Sequence, residues 1–472
     1  MATIIEQQPL SNPGTFDKVL PVGQEIIYTV SNSSVVSSFT NVKFIAEVRI
    51  SSGLPPNPAT SDDLVGTFKT SPNNAGVGMF DFRPIIESFV NADNLARRGS
   101  SYKGTVIPSN LNVPIHLIDK YSRNLNTMRY LFVRFKIEFI NTQGELITGF
   151  ITDSDSYKVF NGYLKHTDVL DLIGVNFGYD PLRFQLRNGL VGGRFLTNAA
   201  STQYANINDY GTLSFLSTPE AALPTATTLS YFTVAMYDDS GVPIGLPIKI
   251  DNLSTNGGVT IWNAKIYKQL MFFGCFPANL RNWNAAFQAA TSTLSYYFVQ
   301  AYNSSNQAIS DKITININCP TLKGYEPIRL CWLNQWGVWD YYTFTQKSTK
   351  MISTKGSTYQ QLEGSWNQSS YKIDSFKGGK KAFRVNATEK ITMNTDFVSE
   401  AESEWFEDLI NSPEVYILEG FQDDTANSAL NNYVTPVRLT TSSYTKKTVA
   451  NDKLMQYTFE VEKSKTLRTQ AI

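Results

Sequence analysis

Residues 130–152 read YLFVRFKIEFINTQGELITGFIT, and their alternation decides the class of fold. Leu131, Val133, Phe135, Ile137 and Phe139 fall on one side of an extended chain, because successive side chains of a strand point to opposite faces of the sheet. Asn141-Thr-Gln-Gly144 is turn chemistry, and ELITGFIT returns as a second strand, so an antiparallel hairpin is predicted.

The pattern recurs on both sides. In VKFIAEVRI, Val42, Phe44, Ala46, Val48 and Ile50 alternate with Lys43, Ile45, Glu47 and Arg49, which predicts a half-buried strand. Residues 228–250 (TLSYFTVAMYDDSGVPIGLPIKI) echo that strand, and 294–318 (LSYYFVQAYNSSNQAISDKITININ) echo the hairpin, with Asn303-Ser-Ser-Asn306 as its turn. The offset of about 165 residues is close to one domain length, so the first two thirds of the chain read as a tandem pair of related sandwiches. The chain is expected to be mainly β: antiparallel β-sandwich domains at 1–165 and 166–319, then a C-terminal β-rich α+β domain at 320–472.

Two helices are predicted. After Phe80 and Phe82, Pro84 suits a first helical turn, and Ile85, Ile86, Phe89 and Val90 form the buried side of a short helix near 84–90. In SEAESEWFEDLINSP, Ser399 and Glu402 make a capping box, and Ala401, Trp405 and Leu409 share a face with Phe406 and Ile410 beside it. Pro413 stops this helix, near 399–411. At the end of the chain Met455, Tyr457, Phe459 and Val461 alternate with polar residues as a strand.

Forty-one basic and forty-one acidic residues give no net field of the kind that draws a protein onto nucleic acid or anionic lipid. The start, MATIIEQQPLSNPG, has no basic segment followed by an apolar one, and no stretch has the length of a membrane span. Synthesis in a cytosol is expected. Cys275, Cys319 and Cys331 are too scattered for a disulfide framework and read as small buried hydrophobes. His116 and His166 have no partner of ligand spacing and are expected on the surface or in loops.

Little in the chain reads as chemistry. There is no G-x-S-x-G elbow, and two isolated histidines supply no base for a nucleophile. Gly76-x-Gly78 lacks a third glycine at dinucleotide spacing and reads as a turn. Asp238-Asp239 precedes Ser240-Gly241, also turn chemistry, and Asp423-Asp424 lacks the spaced oxygen ligands of a calcium loop. Asp340 beside Trp339 and Glu404 beside Trp405 are the carboxylates a glycosidase reading would need, but Asp340 has no mate and Glu404 sits on an acidic helix face. The basic runs at Lys377, Lys380, Lys381 and Arg384, and at Lys446-Lys447, read as solvated loop tips. No catalytic, cofactor or metal site is expected, and the chain is not expected to be an enzyme.

One stretch stands out by composition. All seven tryptophans fall at or after Trp262 and five lie beyond Pro320, three of them in IRLCWLNQWGVWDYYTF, residues 328–344. Gly337 breaks this stretch into strand, tight turn and strand. Trp332, Trp336, Trp339, Tyr341 and Tyr342 are the candidate interface, since aromatic rings with few charges form the cores of contacts between subunits.

CWLNQWGVWDYYTF, with NPGTFDKVLPVGQEIIYTV, NVKFIAEV and SPNNAGVGMFDF, resembles virion structural proteins of phages that infect Bacteroidetes, particularly the tail ring and hub proteins of crAss-like podoviruses. The resemblance implies a non-enzymatic virion protein that forms a cyclic ring of the phage tail, with about six or twelve copies. Its implied partners are its own copies and other tail ring, portal-proximal or tail-tip proteins, with double-stranded DNA only as passing cargo. The competing reading is a glycan-binding receptor-recognition module in which Trp332, Trp336 and Trp339 stack on sugar faces.

Overall fold

The structure, a computed structural model, describes residues 3–9, 19–52, 63–165, 186, 193–217, 229–251, 255–256, 259–260, 269–318, 324–366, 369–421, 433–443, 445, 455–465 and 467. It is mainly β, with the strands gathered in largely antiparallel sheets; the short edge pair Val19–Pro21 with Tyr157–Phe160 is parallel.

The 130–152 stretch forms the predicted hairpin, strand Met128–Ile140 against Leu146–Asp153. Strand Thr40–Ser51 pairs with the other edge of Met128–Ile140. Phe44, Ala46, Val48, Leu131, Val133, Phe135 and Ile137 point inward and are fully buried. They meet Tyr28, Val30, Phe80 and Phe82 from the strands Ile27–Ser31 and Val77–Asp81 and the residue after them, which closes a sandwich around one apolar core. The opposite face of Thr40–Ser51 is covered too: Ile45 and Arg49 are buried, Lys136 and Arg49 both pair with Glu47, and Lys69 meets Glu138 at 2.7 Å. Glu47 thus meets a cation of its own strand and one of the neighbouring strand.

A strand order seen once is seen again. The first large sheet runs Val19–Pro21, Tyr157–Phe160, Met128–Ile140, Thr40–Ser51, Leu64–Thr70; the second runs Thr202–Asn206, Ile313–Asn318, Tyr296–Tyr302, Tyr231–Tyr237, Ile248–Asp251. Each place in the sheet is filled in the same chain order. The facing strands also correspond, Ile27–Ser31 with Val77–Asp81 and Thr212–Ser217 with Gln269–Gly274. After each pair comes a short helix with proline in its first turn and phenylalanine as N-cap, Arg83–Ile86 and Pro277–Arg281.

The predicted helix at 84–90 is thus one turn of α-helix followed by a 3-10 turn, Glu87–Phe89, with Ile86 and Val90 buried and Phe89 36% exposed. A one-turn element covers only two of the four positions expected to be buried. Of the two histidines expected on the surface or in loops, His116 lies in the short 3-10 turn Ile115–Leu117 and is buried, with its ring edge-on to Trp339 at 5.0 Å.

Chain contacts form two compact units, one of Met1–Ile317, Leu333–Asp340 and Gly420–Asn427, the other of Asn318–Trp332, Tyr341–Glu419 and Ser428–Ile472. Residues 1–317 stay together because Tyr121–Arg123, from the first layout, pairs with Gln269–Gly274 of the second. Asn279, fully buried, fixes that junction by donating to the carbonyls of His116 and Ile118 at 2.8 Å each and accepting from the Gly211 N–H.

A long sheet, all of it but Leu333, Trp339 and Asp340 in the second unit, runs Trp339–Phe344, Ile328–Leu333, Val415–Leu418, Val434–Leu439, Thr458–Lys463, Gly379–Asn394, Thr349–Gln361. The helix Glu400–Asn411 has the predicted capping box, with Ser399 and Glu402 bonded reciprocally. Trp405, Phe406 and Leu409 are buried as expected, and so is Asp408, whereas Ala401 is exposed. Met455, Tyr457, Phe459 and Val461 are buried on the alternation predicted for them. Cys275 and Cys331 are buried, and burial pushes the Cys331 thiol up, away from reactivity; Cys319 lies outside the described residues.

Candidate assembly surface

The tryptophan stretch is a hairpin, and its turn explains its glycine. Asn334 accepts the N–H groups of Trp336 and Val338 on its side-chain oxygen, donates its own N–H to the Val338 carbonyl, and accepts the Gly337 N–H on its carbonyl. The fourth residue must then turn left-handed, and Gly337 has φ +68°. The same bonds hold the turns at Asn73–Gly76, Asn141–Gly144, Asp238–Gly241 and Asn303–Asn306. Asn-x-x-Gly, with Asp and Asn as the variants at its two ends, is this protein's repeated hairpin device.

The rings expected at an interface are core. Trp332, Trp336, Trp339 and Tyr341 are 0%, 3%, 2% and 4% exposed. Trp332 packs on Trp405 at 4.9 Å, and Tyr342, half-buried, meets Phe406 edge-on at 4.9 Å. The Arg329 guanidinium lies 5.3 Å from the Tyr341 ring and donates to the Thr343 hydroxyl. In the other unit, the Trp339 indole donates to the Asp93 carbonyl at 2.9 Å. These faces are covered by the chain itself, so neither a sugar nor a neighbouring subunit can lie on them; sequence composition does not distinguish an aromatic strand facing inward from one facing out.

Asp340 and two other carboxylates are equally enclosed, whereas Glu404 is exposed on its helix. Asp340 is buried and accepts the Thr197 hydroxyl at 2.7 Å. Asp119 accepts the N–H groups of Lys103 and Gly104 at 2.9 and 2.8 Å, and burial pushes its carboxyl up to about 6. Asp93 is raised by the same cause while capping the N–H groups of Leu125, Asn126 and Thr127. These are structural acids that hold loops. No group of three His, Cys, Asp or Glu able to hold a metal occurs among the described residues, and Asp423, Asp424, His166, Lys446 and Lys447 lie outside them. Gly78 is no phosphate cradle: a Cβ there would meet the Phe44 ring at 2.5 Å.

The exposed aromatic and apolar side chains gather elsewhere. Thr349–Gln361 pairs along its full length with Gly379–Asn394, and nearly all of it is exposed on both faces. From 356 to 385 these two strands have no third neighbour among the described residues. They end in a second hairpin, Gly364–Trp366 against Tyr371–Ile373, closed by the Ser365 hydroxyl donating to Asp374 and the Asp374 N–H donating to the Glu363 carbonyl. At this tip Leu362, Trp366, Ile373 and Phe376 are 75%, 68%, 74% and 75% exposed. The run of basic residues at Lys377, Lys380, Lys381 and Arg384 belongs to the same arm, not to a bare loop tip.

The strand Thr349–Gln361 left no signal in the period-two reading because neither of its faces meets a core, so TKMISTKGSTYQQ alternates nothing. Its signature was apolar and basic residues mixed in a Thr/Ser-rich run. The chain matches no protein-family model, and no curated protein matches it. No helix among the described residues is long and apolar enough to cross a membrane.

Proposed function

We propose that this chain is a non-enzymatic structural subunit that works in several copies, as a ring component of a phage tail stacked on other tail proteins around the DNA channel. One observation carries the assembly reading: a folded two-stranded arm, exposed on both faces and tipped by four large apolar side chains. A two-stranded ribbon is marginal alone in water, and an exposed apolar patch with a long open edge favours a covering partner. The placement in a phage tail rests on the resemblance of the 12–30, 41–48, 71–82 and 331–344 segments.

Two further features support assembly over catalysis. Balanced charge favours association between copies, and Asp93, Asp119 and Asp340 are held in hydrogen bonds within the fold. The glycan reading loses its platform with the burial of Trp332, Trp336 and Trp339. The mass of the purified full chain, with electron-microscopy class averages, tests the proposal. Closed rings are expected; a monomer at every concentration, alone and with tail proteins of the same phage, would overturn it.

A further inference from the structure

We infer that the arm of residues 349–394 docks on a second copy of this chain, its basic flank lying against the acidic surface around the helix Glu400–Asn411. The inference rests on the assembly reading and names the contact that carries it.

Charge is divided unevenly along the chain. Residues 349–394 hold eight Lys and Arg against three Asp and Glu, which leaves thirty-three against thirty-eight in the remainder. The overlapping stretch that follows, 391–437, holds ten acidic residues and no Lys or Arg. The neutral chain therefore consists of a basic arm and an acidic body. On the arm Lys355, Lys372, Lys380 and Arg384 are exposed and form no ion pair among the described residues. On the helix Glu400 and Glu404 are exposed, beside Phe397, itself 55% exposed.

Each element has what the other lacks. Rim ion pairs are individually weak, so these charges steer and orient the encounter while Leu362, Trp366, Ile373 and Phe376 supply the buried anchor. A second copy is favoured over nucleic acid because half of the anchor is aliphatic, which offers no stacking face to a base, and because the excess acid of the body would repel phosphate. Arm and helix are different patches, so the contact is head-to-tail, the kind that closes into rings.

The test follows sedimentation of the full chain over a concentration series, with two charge-reversed variants: Lys380→Glu with Lys381→Glu and Arg384→Glu, and Glu400→Lys with Glu404→Lys. Circular dichroism and Tm select variants that keep the fold. Each variant alone is expected to associate at least about tenfold more weakly than the parent chain. An equimolar mixture of the two, in which one reversed arm faces one reversed helix, is expected to regain association.

A parent chain that associates while the arm variant associates equally well overturns the docking and leaves the assembly reading standing. A parent chain that never associates alone overturns the docking, and one that also stays monomeric with tail proteins of the same phage overturns both. Weakened variants whose mixture does not recover would place the arm on some other surface, against this proposal. A labelled oligonucleotide bound by the parent chain and released by the arm variant, with association unchanged, would make nucleic acid the occupant instead.

Discussion

The indole N–H of Trp339 donates to the backbone carbonyl of Asp93 at 2.9 Å, joining residues 246 positions apart in the chain. Both groups are buried, and the Trp339 ring also meets His116. Trp339→Phe keeps most of the ring and removes the donor, so the Asp93 carbonyl loses a partner it cannot replace with water. Urea unfolding should show a loss of about 1–3 kcal/mol. Trp366→Ala, on the arm tip, should change unfolding by no more than about 0.5 kcal/mol and instead weaken association.

Two glycines of the same turn type should respond differently. Gly144, at φ +84°, stands in open space, since nothing lies within 4 Å of where a Cβ would point. Gly144→Asn should therefore cost little, as Asn306 already occupies the equivalent place at φ +59°. Gly337 has a similar backbone, but a Cβ there would lie 1.6 Å from the Asn161 carbonyl oxygen. Gly337→Asn should lower Tm sharply or abolish soluble expression; equal tolerance at both sites would show that the close approach is not real.

What the sequence conveys depends on where each element finds its partners. The Asn-x-x-Gly turns and the helix capped by Ser399 and Glu402 are legible because their bonds are local. The sandwich strands are legible because one face of each meets a core. The strand Tyr121–Arg123 is not, since three residues carry no period and its partner lies about 150 positions on. The outer part of the arm, 356–385, fails for the opposite reason, having no core face among its described residues. The tryptophans were visible as a cluster, but burial is settled by residues such as Trp405 and Phe406 that approach from elsewhere in the chain.

Acid should favour the fold through Asp119. Its carboxyl ordinarily titrates near 3.8 and is held near 6 in the folded chain by burial. The folded state thus keeps the proton when the unfolded state has lost it. Its contribution to stability is fully present below 3.8 and falls as pH rises through 6, with a total change of about 3 kcal/mol. Asp119→Asn cannot titrate. The stability difference between parent and variant, measured by urea unfolding from pH 4 to 7.5, should therefore move against the parent as pH rises; a constant difference would refute the shift.

Asn279 should matter more than its size suggests. Its side chain donates to the His116 and Ile118 carbonyls and accepts the Gly211 N–H, three bonds in a site with no exposure. Asn279→Leu fills a similar volume but satisfies none of them, leaving three backbone groups buried without their partner at about 1–3 kcal/mol each before relaxation. The loss should also be local in its first effects. Gly274 N–H donates to the Lys120 carbonyl and Tyr121–Arg123 pairs beside it, so these residues depend on the loop that Asn279 anchors. Hydrogen exchange in Asn279→Leu should speed up first across 115–123 and 269–274, while the hairpin at 128–153, which has its own core, stays protected. Uniform loss of protection would instead mean that the two layouts in residues 1–317 unfold as a single cooperative unit.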